Sequence, residues 1–556
     1  MTGILLFIGI NFLCFLPAYI LNFKNQPELL PSYLFSKTSL KNRLRILLWK
    51  NSSDFFRINF DFAIIFILLI YFKNNEFLIS ICTVFCVLGT ITFVYSQLIT
   101  IFFERDISIL NDLILGKSGL IFLGRLRYLV IPVSFLVILV LYFCFEFLIS
   151  ILIRQEFHEP SLLVLYFYIC ISGLYKINER PIGDYIMRTV ISPTITLVKS
   201  CIYSIKQNKF KVKKDFIKQN RVENISLLKK PNIIVISVES LGQILFKKKD
   251  LYDKISPLLK VFNDRLLLND FKTAASYTES PIYSGGSWMA FSSFLCGLKI
   301  ENELEYETIF KDPKNDNLQS LPSFLKSNNY KNYCLNSIVN SKRDKIDWKT
   351  LSKIFATDNF INHDQLNYTG KLLKFMTLKA IPDEYTLNYA YNKIKNSAPY
   401  FMFFSSLNSH AQWHSPLKSQ KNWKDYNTLD FKTTKNDKTF SEDKYLKAAK
   451  YQYDYLTKFI ADKADENTIF VLFGDHQPPK ITTKEMGKNT PLYIISKNEN
   501  FISSFHKEGF HNHLDLHTIE KTIKHEGFYT LFTKKLLESY GVGHENFKIL
   551  PDGIIP

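Results

Sequence analysis

Five apolar runs crowd the first third of the chain, at roughly 3–22, 56–72, 77–103, 128–153 and 161–175. Runs of this length constrain the fold strongly. About 20 apolar residues coiled as a helix match the hydrocarbon thickness of a bilayer, and lipid offers the backbone no hydrogen-bond partners outside such a helix or a closed barrel. Residues 1–175 are therefore expected to form a membrane domain of about five helices. The second and fifth runs are short or interrupted by polar groups, so the number of spans is open by about one. The first run lacks a basic leader and a small-residue cleavage site, and reads as a retained helix.

Charge does not settle the orientation. The segment 23–55 carries Lys24, Lys37, Lys41, Arg43, Arg45 and Lys50, which the positive-inside rule places in the cytoplasm. With five spans the C-terminal part would then be cytoplasmic as well. Four spans, or five with the N-terminus inside, put it outside. Segments 36–50 and 104–127 mix apolar and basic residues and read as helices lying on the membrane surface. Residues 176–230 form a basic connector with Lys-Val-Lys-Lys at 211–214 and Lys229-Lys230. The net charge of +18 comes mostly from scattered Lys, with no Arg-rich arm or aromatic-interleaved basic stripe. Nucleic acid is therefore not an expected partner, and an anionic membrane surface is.

From 231 onward short apolar runs alternate with helical segments. Strands are expected at Asn232–Val238, Tyr330–Leu335, Tyr400–Phe404, Thr468–Phe473 and Pro491–Ile495, and helices at 321–327, 383–397 and 442–463. This alternation predicts an α/β domain with a mostly parallel central sheet over 231–515, followed by a C-terminal extension, 516–556, packed on it. Cysteine supplies neither a metal site nor a staple, since no CxxC pair exists. A disulfide between Cys296 and Cys334 is open on sequence alone.

Ligands of such sheets gather at the carboxyl ends of strands. Strand 232–238 ends at Glu239, strand 400–404 leads to His410, and strand 468–473 ends in Gly-Asp475-His476-Gln-Pro-Pro. A carboxylate beside an imidazole on a rigid strand end suits a divalent metal. The bland reading of any one of them, a helix cap or a surface histidine, is stronger than the functional one. Their coincidence at equivalent strand ends reverses that order. Ser287, in Ser-Gly-Gly-Ser-Trp-Met-Ala-Phe, follows two flexible glycines and opens a helix-like run. It reads either as an N-cap or as a nucleophile whose hydroxyl sits at a helix N-terminus. A metal held by Glu239, Asp475 and His476 would lower its pKa.

Val-Glu-Ser at 238–240, Ser-Gly-Gly-Ser at 284–287, Asn-Ser-His at 408–410 and Gly-Asp-His-Gln-Pro-Pro at 474–479 together resemble sulfatase-like enzymes of the alkaline phosphatase superfamily, in particular the lipoteichoic acid synthase and phosphoglycerol transferase branch. The resemblance implies that Glu239, Ser287, Asp475 and His476 bind one divalent metal (Mn, Mg or Zn). It also implies that Ser287 forms a covalent phospho-enzyme and that His410 contacts the substrate phosphate. Arg343, in Ser-Lys-Arg-Asp at 341–344, is a looser match to a substrate-binding Arg, and competes with the reading of a surface ion pair. The family nucleophile is usually Thr. Ser287 is not followed by x-Pro-x-Arg, which disfavours sulfate ester hydrolysis through formylglycine.

The implied activity is transfer of a phospholipid headgroup, phosphoglycerol in type, to a glycan or lipid hydroxyl. It is implied to take place on a multi-pass protein of the cell membrane with its catalytic domain outside the cytoplasm. A metal-dependent phosphodiesterase or phosphatase, a phosphoethanolamine transferase, and a non-catalytic membrane assembly protein are the alternatives.

Overall fold

The computed structural model describes residues 2–22, 58–72, 75–103, 105–122, 127–155, 157, 159–177, 192–208, 225–311, 318–339, 348–375, 378–411, 413, 418–431, 440–463, 467–482 and 486–554. Arg343 and the basic segment 23–55 lie outside these residues. The chain divides into two compact units, one of 1–113 with 125–206 and one of 114–124 with 207–556.

Among the described residues, seven helices precede residue 210: α1 (Thr2–Asn22), α2 (Phe60–Tyr71), α3 (Glu76–Phe103), α4 (Ile109–Phe122), α5 (Arg127–Ile153), α6 (Glu159–Ile177) and α7 (Pro193–Asn208). Three stretches among the described residues, Thr2–Leu21, Glu76–Thr100 and Tyr128–Ile153, are long and apolar enough to cross a membrane. The second expected span shrinks to α2, whose 12 residues reach only about 18 Å, short of the ~30 Å hydrocarbon layer. The fifth is likewise represented by a shorter apolar stretch, Glu159–Ile171. The connector also holds more structure than its charge suggested, because α7 lies within it.

α2 begins beside the N-terminus of α7, and both meet the middle of α3. Asn59 caps α2 by accepting the Phe62 N–H at 3.2 Å, and its own amide donates to the Phe85 carbonyl at 3.1 Å. Asp61 accepts the Ser192 hydroxyl at 2.5 Å and the Thr194 N–H at 2.9 Å, capping α7. A Cβ on Gly89 would come within 2.2 Å of the Asn59 amide nitrogen, so glycine is what lets Asn59 approach α3. α7 turns Ser200 and Ser204 inward, where they bond the Ile107–Leu110 turn, and exposes Ile195, Val198, Ile202 and Ile205. That pattern is inverted relative to a water-soluble surface helix and suits a lipid-facing one.

The second unit is built on an eight-stranded sheet. Its strands are β1 (Asn232–Val238), β2 (Lys272–Glu279), β3 (Lys331–Leu335), β4 (Asn359–Ile361), β5 (Tyr400–Ser405), β6 (Thr468–Gly474), β7 (Asn489–Ser496) and β8 (Thr522–Lys524), in the order β8-β2-β7-β6-β1-β5-β3-β4. Only β7 runs against the others. All five expected strands are present. The period-2 alternation of their residues builds two cores. Ile234, Ile236, Met402, Phe404, Phe470 and Leu472 face one way, onto α8 (Lys249–Leu267), α11 (Asp383–Ile394) and α12 (Glu442–Lys463). Ile233, Val235, Phe401, Phe403, Ile469 and Val471 face the other way, onto α9 (Ser287–Cys296), α10 (Leu321–Ser327) and α13 (His525–Tyr540). Each fully buried side chain of this size contributes roughly 1.5–3 kcal/mol. Cys296 and Cys334 are free thiols buried in the second core. Beyond 516 the chain supplies the edge strand β8 and the helix α13.

Candidate metal and phosphoryl-transfer site

Register brings the site together before any side chain is considered. Val238 of β1 pairs with Gly474 of β6, so the next residues, Glu239 and Asp475, leave the sheet at the same level. Gly474 is required there, since a Cβ would lie 1.9 Å from the Leu241 carbonyl oxygen. On the other side of β1, Ser237 pairs with Ser405, which starts the loop to His410.

The turn after β1 is strained. Ser240 has φ +55°, a left-handed conformation that costs a non-glycine residue about 1–3 kcal/mol. Three contacts hold it there. Its N–H donates to Asp475 Oδ1 at 2.7 Å, its hydroxyl donates to Glu239 Oε1 at 2.7 Å, and its carbonyl accepts the Tyr445 hydroxyl at 3.0 Å. Ser287 arrives from a different direction. After β2 the chain turns through Gly285 and Gly286, at φ +67° and +74°, and α9 begins at Ser287 itself.

The four polar side chains converge. Ser287 Oγ donates to Glu239 Oε2 at 3.2 Å and lies 3.4 Å from His476 Nε2. His476 Nε2 is 3.5 Å from Asp475 Oδ2 and 3.7 Å from Glu239 Oε1. His476 Nδ1 donates to the Gln477 carbonyl at 2.8 Å, so Nε2 keeps its lone pair for the cluster. Asp475 Oδ1 is satisfied by two N–H groups, from Ser240 and His476, while Asp475 Oδ2 is buried with no hydrogen-bond partner.

The residues fit a divalent cation on both counts available. Glu239, Asp475 and His476 are all buried and present ligand atoms within 4.8 Å of one another. A tetrahedral ion with bonds of ~2.1 Å spaces its donors by about 3.4 Å, close to the 3.4 Å from Ser287 Oγ to His476 Nε2 and the 3.5 Å from His476 Nε2 to Asp475 Oδ2. The unpartnered Asp475 oxygen is the kind of buried acceptor that a cation satisfies.

Electrostatics agree. Burial pushes the Asp475 carboxyl up to about 7, and the neighbouring Glu239 charge pushes in the same direction. Burial also works against the Glu239 charge, but His410 and His476, with the Ser240 and Ser287 hydroxyls, hold it below the usual carboxylate range. Burial depresses His476, yet Asp475 and Glu239 outweigh it and raise its pKa.

His410 faces this cluster closely enough to lower the Glu239 pKa, with its ring beside Phe375 at 5.6 Å. Of the C-terminal histidines, His525 comes nearest. It is fully buried, hydrogen-bonded to the Thr278 hydroxyl at 3.0 Å, and held neutral by burial, which lowers its pKa to about 3. His506 bonds the Thr273 carbonyl, His517 stacks on Tyr252, and His511 pairs with Ala275 in the backbone. Sequence reasoning overlooked the hydrogen bonds of Ser240, Ser406, Ser409, Asp383 and Gln452 around the candidate ligands. Only the Ser-rich stretch 405–409 hinted at them.

The sulfatase family model matches residues 231–530, and the chain belongs to that family. It is therefore a sulfatase-family α/β domain on a chain that also carries membrane-type helices. No curated protein sequence matches the chain. Among solved structures it is similar to the lipoteichoic acid synthase LtaP from Listeria monocytogenes, with 16% identity over 51% of this chain and 70% of that one and a TM-score of 0.35. It is similar to the Streptococcus pyogenes phosphoglycerol transferase GacH, with 18% identity, 61% and 80% coverage and a TM-score of 0.35. It is also similar to the periplasmic domain of EcEptC from Escherichia coli, with 12% identity, 59% and 89% coverage and a TM-score of 0.37.

Proposed function

We propose that this protein is a membrane-anchored, metal-dependent phosphotransferase that moves a phosphoglycerol-type headgroup from a phospholipid to a hydroxyl of a glycan or lipid, outside the cytoplasm. The observation that carries the reading is the convergence of the Ser287 hydroxyl with Glu239, Asp475 and His476 at the ends of β1 and β6, beside an unpartnered Asp475 oxygen.

Glu239, Asp475, His476 and the Ser287 oxygen would hold one divalent cation. Bound there, it would act as a Lewis acid that makes the serine hydroxyl more acidic and offsets charge on the phosphoryl group. The chain does the rest. Glu239 Oε2, already accepting the Ser287 proton, orients Oγ for in-line attack. The new bond is Ser287 Oγ–P and the broken bond is the ester to diacylglycerol, whose oxygen leaves with a proton. His410, close enough to the cluster to hold the Glu239 pKa down, is the group to position the phosphate or protonate that oxygen. The acceptor hydroxyl then attacks the phosphoserine phosphorus, and Ser287 Oγ is restored with the proton. Atoms balance as phospholipid plus alcohol giving diacylglycerol plus phosphodiester. Start of α9 at Ser287 adds backbone N–H groups that favour the anionic phosphoryl.

The test is full-length protein in proteoliposomes with Mn²⁺ and headgroup-labelled phosphatidylglycerol. Diacylglycerol and a labelled adduct of the acceptor are expected. Free labelled headgroup as the sole product would move the reading to a phosphodiesterase.

A further inference from the structure

The site rests on a second layer of buried polar groups that no catalytic step uses. Asp383 opens α11 and is fully buried. Its carboxylate accepts the Leu407 N–H at 2.9 and 3.0 Å and the Asn408 N–H at 2.7 Å, while Asn408 Oδ1 accepts the Asp383 N–H at 3.0 Å. This clasp fastens the loop that carries His410. Gln452, 1% exposed in the middle of α12, shares its amide donor among Asp383 Oδ2 at 3.3 Å, Ser406 Oγ at 3.2 Å and Ser409 Oγ at 2.9 Å. Those two serines grip the backbone of Glu239 from both sides. Ser406 Oγ accepts the Glu239 N–H at 3.0 Å, and Ser409 Oγ donates to the Glu239 carbonyl at 2.6 Å.

We infer that Asp383 and Gln452 are positioning residues that set the place of the ligand Glu239 and of the His410 loop through Ser406 and Ser409. The inference rests on the metal-site reading above. The polar groups sit where an apolar core would be at least as stable, since a buried carboxylate and amide are costly to desolvate. Gln452 Oε1 has no hydrogen-bond partner, a further cost that packing does not explain. What the network supplies is a fixed geometry. Glu239 precedes a residue at φ +55°, so its backbone relaxes unless it is held. A shift of an ångström there would spoil a ligand set spaced by 3.2–3.7 Å.

Gln452→Leu keeps the volume and removes all three bonds. Asp383→Asn replaces an acceptor oxygen by a donor facing two N–H groups. Tyr453→Phe is the control, because Tyr453 is equally buried on the same helix and its hydroxyl bonds Tyr493 at 2.8 Å, away from Glu239. Full-length variants in detergent are titrated with Mn²⁺ by calorimetry and assayed on a generic phosphodiester. Gln452→Leu and Asp383→Asn are expected to bind Mn²⁺ about 10- to 100-fold more weakly than wild type, whereas Tyr453→Phe keeps wild-type affinity. Should either fail to fold, Ser409→Ala removes only the last link and is expected to weaken Mn²⁺ in the same direction. Wild-type Mn²⁺ affinity in Gln452→Leu or in Ser409→Ala overturns the inference. A wild-type protein that binds no divalent metal overturns the site reading and the inference together.

Discussion

Asp475 shows how one buried residue can point to a candidate cation site. One of its oxygens takes two backbone N–H groups, and the other, though buried, has no hydrogen-bond partner and faces His476 Nε2 at 3.5 Å. Metal ligands must be deprotonated, so binding competes with protons. The sign follows from the raised pKa. Relative to its ordinary value of 3.8, Asp475 contributes stability to the metal-free fold that is fully present below about pH 3.8 and is lost as pH rises through about 7. His476 is raised as well and acts in the same direction, whereas the depressed Glu239 acts only at acid pH, where its contribution fades as pH falls. Buried His525, lowered to about 3, adds stability as pH rises only up to about 6.5, so in EDTA the melting temperature should fall from pH 6.5 to 8, and the gain on adding Mn²⁺ should grow over that range. A Mn²⁺ gain independent of pH contradicts the ligand assignment. Replacing Ser287 by Ala should lower turnover at least ~10³-fold with Mn²⁺ still bound through the other three ligands, while Ser287→Thr should retain activity. Gly286→Ala should cost about 1 kcal/mol for its φ of +74° and push the Met289 side chain aside, which moves Ser287 and lowers turnover at least tenfold.

At the scale of elements, β1, β5 and β6 were legible because apolar, branched and aromatic residues fill both faces of a strand buried in a two-core sheet. β2 was not. Its sequence, Lys-Thr-Ala-Ala-Ser-Tyr-Thr-Glu, is small and polar, and it becomes a strand only because β7 and β8 pair with it. The candidate ligands Glu239, Asp475 and His476 were legible because strand ends are readable and the metal chemistry of Asp-His is narrow. Asp383 and Gln452 were not, because nothing local distinguishes a helix-starting Asp or a mid-helix Gln from solvated ones. The start of α2 was not legible, for a physical reason. Hydropathy counts apolar residues, whereas the break at Asn59 is set by its side-chain bonds to α2 and α3. This junction gives its own prediction. Asp61→Ala removes the cap of α7 and should cost about 0.5–2 kcal/mol in detergent-solubilised protein. Gly89→Leu should be worse, because the added side chain enters the space of the Asn59 amide. Unchanged unfolding midpoints in both would contradict the junction.

For the whole molecule, membrane-type helices and a sulfatase-family domain on one chain suit a substrate that is itself a lipid. A soluble hydrolase has no need of three bilayer-length helices, whereas an enzyme that takes a headgroup from a phospholipid works where its donor is concentrated. The basic excess of the chain adds attraction to anionic lipid. In the proposed reaction Ser287 carries the phosphoryl group between donor and acceptor. Its most direct test is mass spectrometry of the peptide containing Ser287 after the full-length protein has been incubated with Mn²⁺ and phosphatidylglycerol without acceptor, then quenched in acid. The account predicts a glycerophosphoryl adduct on Ser287 that disappears when acceptor is added and is absent in Ser287→Ala. Diacylglycerol released at the full rate with Ser287 unmodified, or by Ser287→Ala, would contradict it.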